Sequence, residues 1–498
     1  MNKRFWTLIM IPFLLFYAIP AGAVEKEDRK WQDESIYFLM VDRFNNGDLK
    51  NDFQVDVKDQ MAYHGGDFQG VIDKLDYIKD MGFTAVWLGA IFDNEENGYH
   101  GKWVQDYYKT EEQFGTIEEF KELVKQAHNR NLKVLIDFEL NHVGPNHQWL
   151  SESDRQDWFS GQQADLPVLN QENPEVRGYL IDAAKWWIDE TNIDGYYLDN
   201  ISVAEESFMK EFSEAVKEQK ENFYLLGSDE TNDSEAIAHY QTIGVDGLLD
   251  YPLAESTRPI FKKVDHSLSE LITYKKEQMT KYKDPYLMAS MLDNDQMVRF
   301  THDAVTNNQH PGPRWKLALT YLYTTPGIPV VFYGTEIALE GAGGEKSHGQ
   351  MDFRTDKELI EYITKLGELR SAYPSLTRGT LELLGEDKEI VVYKREYEGE
   401  TSVIAINNSS ESKNITIKNE LLEENKELRG LISDDLVKSS DEGYVLFLDR
   451  EEAEVYVLAD QSGINIPFVI ATIIVYGAFI TFIFLLWRRA KKKRANEK

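Results

Sequence analysis

Cysteine is absent from all 498 residues, so no disulfide, thiolate metal site or cysteine nucleophile is available. Any metal must take oxygen or imidazole ligands. Positive charge is scarce: 54 Lys and Arg against 86 Asp and Glu leave a formal charge of −32. So acidic a surface repels phosphate backbones and excludes nucleic acid as a partner class. Long apolar runs are missing from the body of the chain and occur only at its two ends. The length itself exceeds what one small domain needs.

The ends read as targeting and anchoring segments. Lys3 and Arg4 precede an apolar run from Phe5 to Ile19, and Ala21, Gly22 and Ala23 offer a cleavage site. That is a secretory signal peptide over 1–23; the run is short for a membrane anchor and holds Pro12 and Pro20. From Ile466 to Trp487 the chain carries no charge, long enough to cross a bilayer as a helix. The tail 488–498 is strongly basic, the flank that stays cytoplasmic. The expectation is a single-pass protein of the cell membrane with its ectodomain outside. With seven basic residues against one acidic residue in the tail, and two basic residues in the leader, that ectodomain carries −40.

Between Trp31 and Glu336, β-branched and aromatic runs alternate with helical periodicity, which implies a parallel sheet. Candidate strands cover 36–44, 84–92, 132–138, 195–200, 222–228, 246–253, 285–292 and 327–334, the eight that close a TIM barrel. Val71, Leu75 and Ile78 share one helix face, and Thr116 with Glu119 forms a capping box. The fold class expected is α/β: a (β/α)8 barrel over 24–376 with a short inserted domain at 141–174, after the third strand. A C-terminal all-β sandwich over 377–458, a linker over 459–465 and one transmembrane helix over 466–487 follow.

Polar residues at the C-terminal ends of barrel strands are active-site candidates. Here they are Asp137 with Asn141 and His142, then Asp199, then Asp229 and Glu230, then Asn294 with Asp295. Carboxylates converging in one cleft suit glycoside hydrolysis, where one attacks and another protonates the leaving oxygen. Tyr99 and Trp103 flank a barrel loop and could stack on sugar rings, or simply pack.

At this point the sequence resembles the α-amylase family, glycoside hydrolase family 13. DFELNH (137–142), DGYYLD (194–199), LLGS (225–228) and LDNDQ (292–296) fall in the order of its four conserved regions, with YHGGD, YHGKW and GIPVVFYGTE as further landmarks. The resemblance implies Asp199 as nucleophile, Asp137 and His142 as sugar-contacting residues and Asn141 as a calcium ligand. Tyr99, His100, Trp103 and Asn294 complete the substrate-binding candidates. The departures are several. Ser228 stands where the general-acid glutamate belongs, and a serine cannot usefully protonate a glycosidic oxygen at neutral pH. Gln296 replaces the stabilising aspartate, Tyr197 the arginine before the nucleophile, and Lys102 the aromatic that stacks on sugar.

Two readings of the site stay open. In one, the acid and the stabiliser are lost and a glucan-binding module survives on a retired enzyme, capturing maltooligosaccharide for a neighbouring sugar transporter or enzyme. In the other, carboxylates have shifted: Glu230, two residues past Ser228 and on the same side of an extended strand, becomes the acid, and Asp295 stands in beside Gln296. A third reading, a structural subunit of a membrane transport complex, is weakened because the membrane span follows the barrel.

Calcium is the cofactor expected. The family's usual site is compromised, because Val168 replaces an aspartate that would join Asn141. A second loop crowds Asn46, Asp48, Asn51 and Asp52 into seven residues, with Gly65 and Asp67 downstream, and hard oxygen ligands in a tight turn suit calcium. This spacing resembles a calcium loop of cyclodextrin-forming and neopullulanase-like members.

Overall fold

The computed structural model describes residues 29–163, 165–229, 231, 233–461 and 466–496. The signal segment 1–23 and Glu230 lie outside the described residues. Eight parallel strands form the barrel: β1 (Ile36–Leu39), β2 (Ala85–Leu88), β3 (Lys133–Asp137), β4 (Gly195–Leu198), β5 (Tyr224–Gly227), β6 (Gly247–Leu248), β7 (Ala289–Ser290) and β8 (Ile328–Phe332). They pair in the order β6-β5-β4-β3-β2-β1-β8-β7, and a parallel bridge between Leu249 and Ala289 closes the ring.

Each expected segment holds one barrel strand, but the sixth and seventh are two residues each, far shorter than their expected runs of 246–253 and 285–292. Asp250 accepts a hydrogen bond from Leu253 N at 3.1 Å and caps a helix, and Pro252 fits the first turn. Residues Tyr251–Phe261 therefore leave the sheet as helix. Local capping chemistry overrides the strand-like composition.

Helices cover the barrel through the faces their spacing predicts. Val71, Leu75 and Ile78 are fully buried on Phe68–Asp80, and Thr116 and Glu119 cap Ile117–Asn129 reciprocally. On Pro174–Thr191, Trp187 is buried with its indole N–H on Tyr107 O at 2.7 Å, while Trp186 is partly exposed. Inside the barrel an aromatic layer forms beneath the site. Phe38 stacks on Trp87 and Phe332 with ring centroids 3.8 and 4.8 Å apart, and Trp87 meets Tyr197 at 4.3 Å. This layer fixes the side chains that hold the carboxylates above it.

After β3 the chain makes short helical turns and an antiparallel pair, Phe159–Gln163 with Leu166–Leu169, before rejoining the barrel at Pro174. Beyond the last barrel helix, Glu358–Ala372, comes an all-β unit of one six-stranded sheet and one two-stranded ribbon. Strand Ile390–Tyr397 is apolar on both faces for a reason: Ile390 and Val392 pack towards the ribbon, Val391 and Tyr393 towards the barrel. Buried Arg395 seals that junction, donating to Leu376 O and Thr380 O at 2.9 Å each.

The helix Ile466–Asn496 contains an 18-residue stretch, Thr472–Arg489, of mean hydropathy 1.5 with none of it buried. By length and composition it can cross a membrane.

Candidate active site

The site sits at the C-terminal ends of β3, β4, β5 and β7, where closure of the ring brings distant residues together. Asp137 ends β3 and accepts the indole N–H of Trp87 at 2.6 Å. Asp199 follows β4. Its main chain is pinned by Asn141, whose Nδ2 donates to the carbonyls of Asp199 and Asn200 at 3.0 and 3.1 Å. The Asn141 oxygen in turn accepts from Gln171 Nε2 at 3.3 Å.

The Asp199 carboxylate is heavily engaged. Its Oδ1 accepts from Ser228 Oγ at 2.8 Å and lies 3.1 Å from the Tyr197 hydroxyl. Its Oδ2 accepts from Gln296 Nε2 at 2.8 Å and from Lys102 Nζ at 3.3 Å. Burial works to raise the Asp199 pKa, but Lys102 and the hydrogen bonds from Ser228, Gln296 and Tyr197 hold it below the ordinary carboxylate value. Ser228 is itself locked in place, receiving Tyr197 Oη at 2.8 Å and Asn200 N at 3.1 Å.

Lys102 bridges two carboxylates. Its Nζ is 3.3 Å from Asp199 Oδ2 and 3.0 Å from Asp295 Oδ2. Burial alone would lower its pKa, yet Asp295, Asp199 and Asp137 together push it well above the usual lysine value. Asp137 goes the other way: burial lifts it well above the normal range against the pull of Lys102 and Trp87. The Lys102 amine is therefore held charged 3.3 Å from the Asp199 carboxylate, which is itself kept below its ordinary value. It was legible in the sequence as a lost aromatic, but its ion pairs were not. Tyr197 and Ser228 were likewise read as losses, whereas the fold uses them as donors.

The remaining sequence candidates fall around this centre unevenly. Tyr99 is buried, with its hydroxyl 3.0 Å from His348 Nδ1 and Arg43 over its ring at 4.0 Å. His100 packs edge-on against Trp103 at 4.7 Å, and burial, then Lys102, pull its pKa down to about 3. His142 lies beside Glu139, and its Nε2 is buried without a hydrogen-bond partner among the described residues. Asn294 is buried, donating to Tyr251 Oη at 2.8 Å and accepting from the main chain of Gln296 and Met297. Asp229 accepts from Thr231 N at 3.0 Å and Tyr240 Oη at 3.3 Å.

The oxygen-rich loop assembles as a unit. Asn46 Nδ2 donates to both carboxylate oxygens of Asp52 at 3.0 Å, and Asp67 caps the following helix at Gly70 N while accepting from Gly47 N and Asp48 N. The oxygens Asn46 Oδ1 and Asn51 Oδ1 are buried with no hydrogen-bond partner among the described residues. Gly65 has φ +86°, and a Cβ there would lie 2.5 Å from Asn46 Nδ2 and 2.9 Å from Asp52 Oδ1.

The α-amylase catalytic-domain family matches residues 38–165 and 152–366, and the α-amylase C-terminal domain matches 379–456. A β/α-amylase of Paenibacillus polymyxa is 32% identical over 459 residues, covering 86% of this chain and only 38% of that protein. A cyclomaltodextrinase of Thermoanaerobacter pseudethanolicus is 29% identical, covering 82% and 75%. Among solved structures, an Anoxybacillus α-amylase is 52% identical with a TM-score of 0.86, covering 88% of this chain and 100% of that one. A Geobacillus thermoleovorans α-amylase complexed with acarbose is 48% identical with a TM-score of 0.85, covering 87% and 100%. A closed barrel with carboxylates at its strand ends, matched from end to end by these domains, places the chain in the α-amylase family of glycoside hydrolases.

Proposed function

We propose that the protein is a membrane-tethered, α-glucan-binding member of the α-amylase family whose hydrolytic step is lost or strongly impaired. The observation that carries this reading is the state of Asp199. Two neutral side chains, Ser228 and Gln296, and the Lys102 ammonium surround the Asp199 carboxylate and donate to both its oxygens, and none of them is a carboxyl group. The usual acid is a serine, and Lys102, held charged by its neighbours, keeps its proton at neutral pH. Each missing group commonly costs about 10² to 10⁴ in rate, so their joint loss leaves little.

Glucan as the ligand class is supported by the acarbose complex of the Geobacillus thermoleovorans relative and by the retained Asp137, His142 and Asn294. A tethered ectodomain of this kind would concentrate oligosaccharide for a neighbouring sugar transporter. The apolar Thr472–Arg489 stretch is the anchor, with the basic residues after it on the cytoplasmic side.

Calcium belongs to this reading as a structural ion. The orphaned oxygens of Asn46 and Asn51 beside the Asp52 carboxylate suit a hard cation, with Asp48, the Gly65 carbonyl and Asp67 as further candidate ligands. When bound, the ion would cross-link the loop after β1. Asn141 fits a cation poorly, because the apolar Val168 stands where an aspartate would join it as a ligand.

The test is maltoheptaose hydrolysis and binding by the full chain in detergent micelles, beside Asp199→Asn and Glu230→Gln prepared identically. Binding without turnover is the expected result. Turnover that both substitutions abolish would overturn it and establish Glu230 as a shifted acid.

A further inference from the structure

Beneath Lys102, Asp137, Glu139, Tyr197 and Asp199 line a residual cavity of about 10 Å³. Roughly 10 to 15 Å³ is needed to hold one water molecule, so no sugar ring enters this space as it stands. Lys102 is part of its wall, and the Lys102 ammonium lies within 3.3 Å of both Asp199 and Asp295, in the gap between those two carboxylates. A glycosidase centre of this type binds a ring that becomes positively charged at its anomeric carbon in the transition state. Here a permanent positive charge of the chain's own stands between the carboxylates.

We propose that Lys102 is a tethered occupant of the innermost sugar position, and that glucan reaches Asp199 only by displacing its side chain. This inference rests on the reading that the cleft binds glucan. The main chain around Lys102 is not the moving part. Gly101 has φ +77°, and a Cβ there would meet Ala90 O at 2.4 Å, while Lys102 N donates to His100 Nδ1 at 3.1 Å. Movement is confined to the four side-chain torsions of the lysine. Its side chain is 27% exposed, which leaves an exit towards solvent on the rim. Displacement has an electrostatic cost, because Asp199 and Asp295 then face each other without their shared cation. Outer sugar positions are unaffected, so a long glucan is held mainly by its distal rings.

The test needs the full chain in micelles and two readouts. The first is affinity for maltoheptaose and for acarbose, measured by calorimetry on wild type, Lys102→Ala and Lys102→Met. Removing the occupant is expected to tighten acarbose binding at least about tenfold in the alanine variant, with a smaller gain in the methionine variant, which keeps bulk but loses the ion pairs. The second readout uses wild type alone and so survives a variant that fails to fold. Acylation of Lys102 by acetic anhydride, followed by peptide mass spectrometry, should accelerate at saturating maltoheptaose, because the amine leaves its carboxylates for solvent. Slower acylation on binding would mean that glucan covers Lys102 in place, and equal affinities across folded variants would mean it blocks nothing. Either result overturns the proposal while leaving a glucan-binding cleft intact. Absence of maltoheptaose binding by wild type and both folded variants would overturn the glucan reading and this inference together.

Discussion

Ser228 Oγ donates to Asp199 Oδ1 at 2.8 Å, across 29 positions of sequence, so the side chain that follows β5 serves the carboxylate that follows β4 as a hydrogen-bond donor. The exchange is coordinated, because Tyr197 donates to the same serine oxygen and Asn200 N closes the ring of contacts. Restoring a single family residue therefore disturbs a satisfied network. Ser228→Glu alone is expected to give less than about tenfold gain in maltoheptaose hydrolysis, since Gln296 and Lys102 still hold the other oxygen. The triple change Ser228→Glu, Gln296→Asp and Lys102→Tyr should exceed the single variant by about 10² or more, read as reducing ends released per minute. Equal rates in the two would show that the site is limited elsewhere.

Calcium dependence can be read from stability. Chelation by EGTA is expected to lower the thermal midpoint of wild type, and added calcium to restore it, because an ion that binds only the folded state stabilises it by mass action. Asn51→Ala removes one orphaned oxygen and should shrink that chelator-sensitive shift while leaving the chelated midpoint within a few degrees of wild type. A wild-type midpoint that ignores EGTA would argue against an ion in this loop.

Glu111 offers a pH test with a defined sign. The carboxyl is buried, and burial followed by repulsion from Glu112 raises its pKa to about 8 against an ordinary 4.5. The folded state then favours the protonated form, so this group's destabilisation is absent below pH 4.5 and grows until about pH 8. Glu111→Gln cannot ionise. Its thermal midpoint relative to wild type should therefore rise as pH increases from 5 to 8, whatever the baseline difference from altered hydrogen bonds at Asn94 N and Gln113 N. A pH-independent difference would mean that Glu111 titrates normally.

Packing of the barrel against its third helix concentrates on Trp187, which is fully buried and hydrogen-bonded to Tyr107 O. Trp187→Ala should cost about 3 to 5 kcal/mol of unfolding free energy in denaturant titration, through lost burial and the cavity left behind. Trp186→Ala, on the partly exposed side of the same helix, should cost clearly less. Reversal of that order would contradict the helix register.

Much of the architecture was legible in local pattern. All eight apolar runs carry a barrel strand, and the Thr116–Glu119 box starts a helix where the spacing places it. The sixth strand was overestimated because LLDYPL is apolar enough for either state, and the decision went to the Asp250 cap. At the site, Asp137, Asp199 and Asp295 gather around Lys102 as strand-end position implies, whereas the Asn294 side chain is spent on Tyr251 and the main chain of Gln296 and Met297. Tyr99 was open between stacking on sugar and packing; it is 2% exposed and held by Arg43 and His348, a neighbourhood that no local motif encodes.

The sequence by itself determined the chemistry available: which residue types stand at each strand end, that Ser228 and Gln296 are neutral where charge is usual, and that one apolar segment can span a membrane. Those follow from identity, spacing and length, which are local. Only the tertiary structure decided how the pieces meet. Lys102 and Asp199 are 97 positions apart, and closure of the barrel puts the amine of one against the carboxylate of the other. The physical reason is that side-chain identity travels with the chain, whereas an ion pair depends on distance, and distance between strand ends is fixed by the ring of strands as a whole.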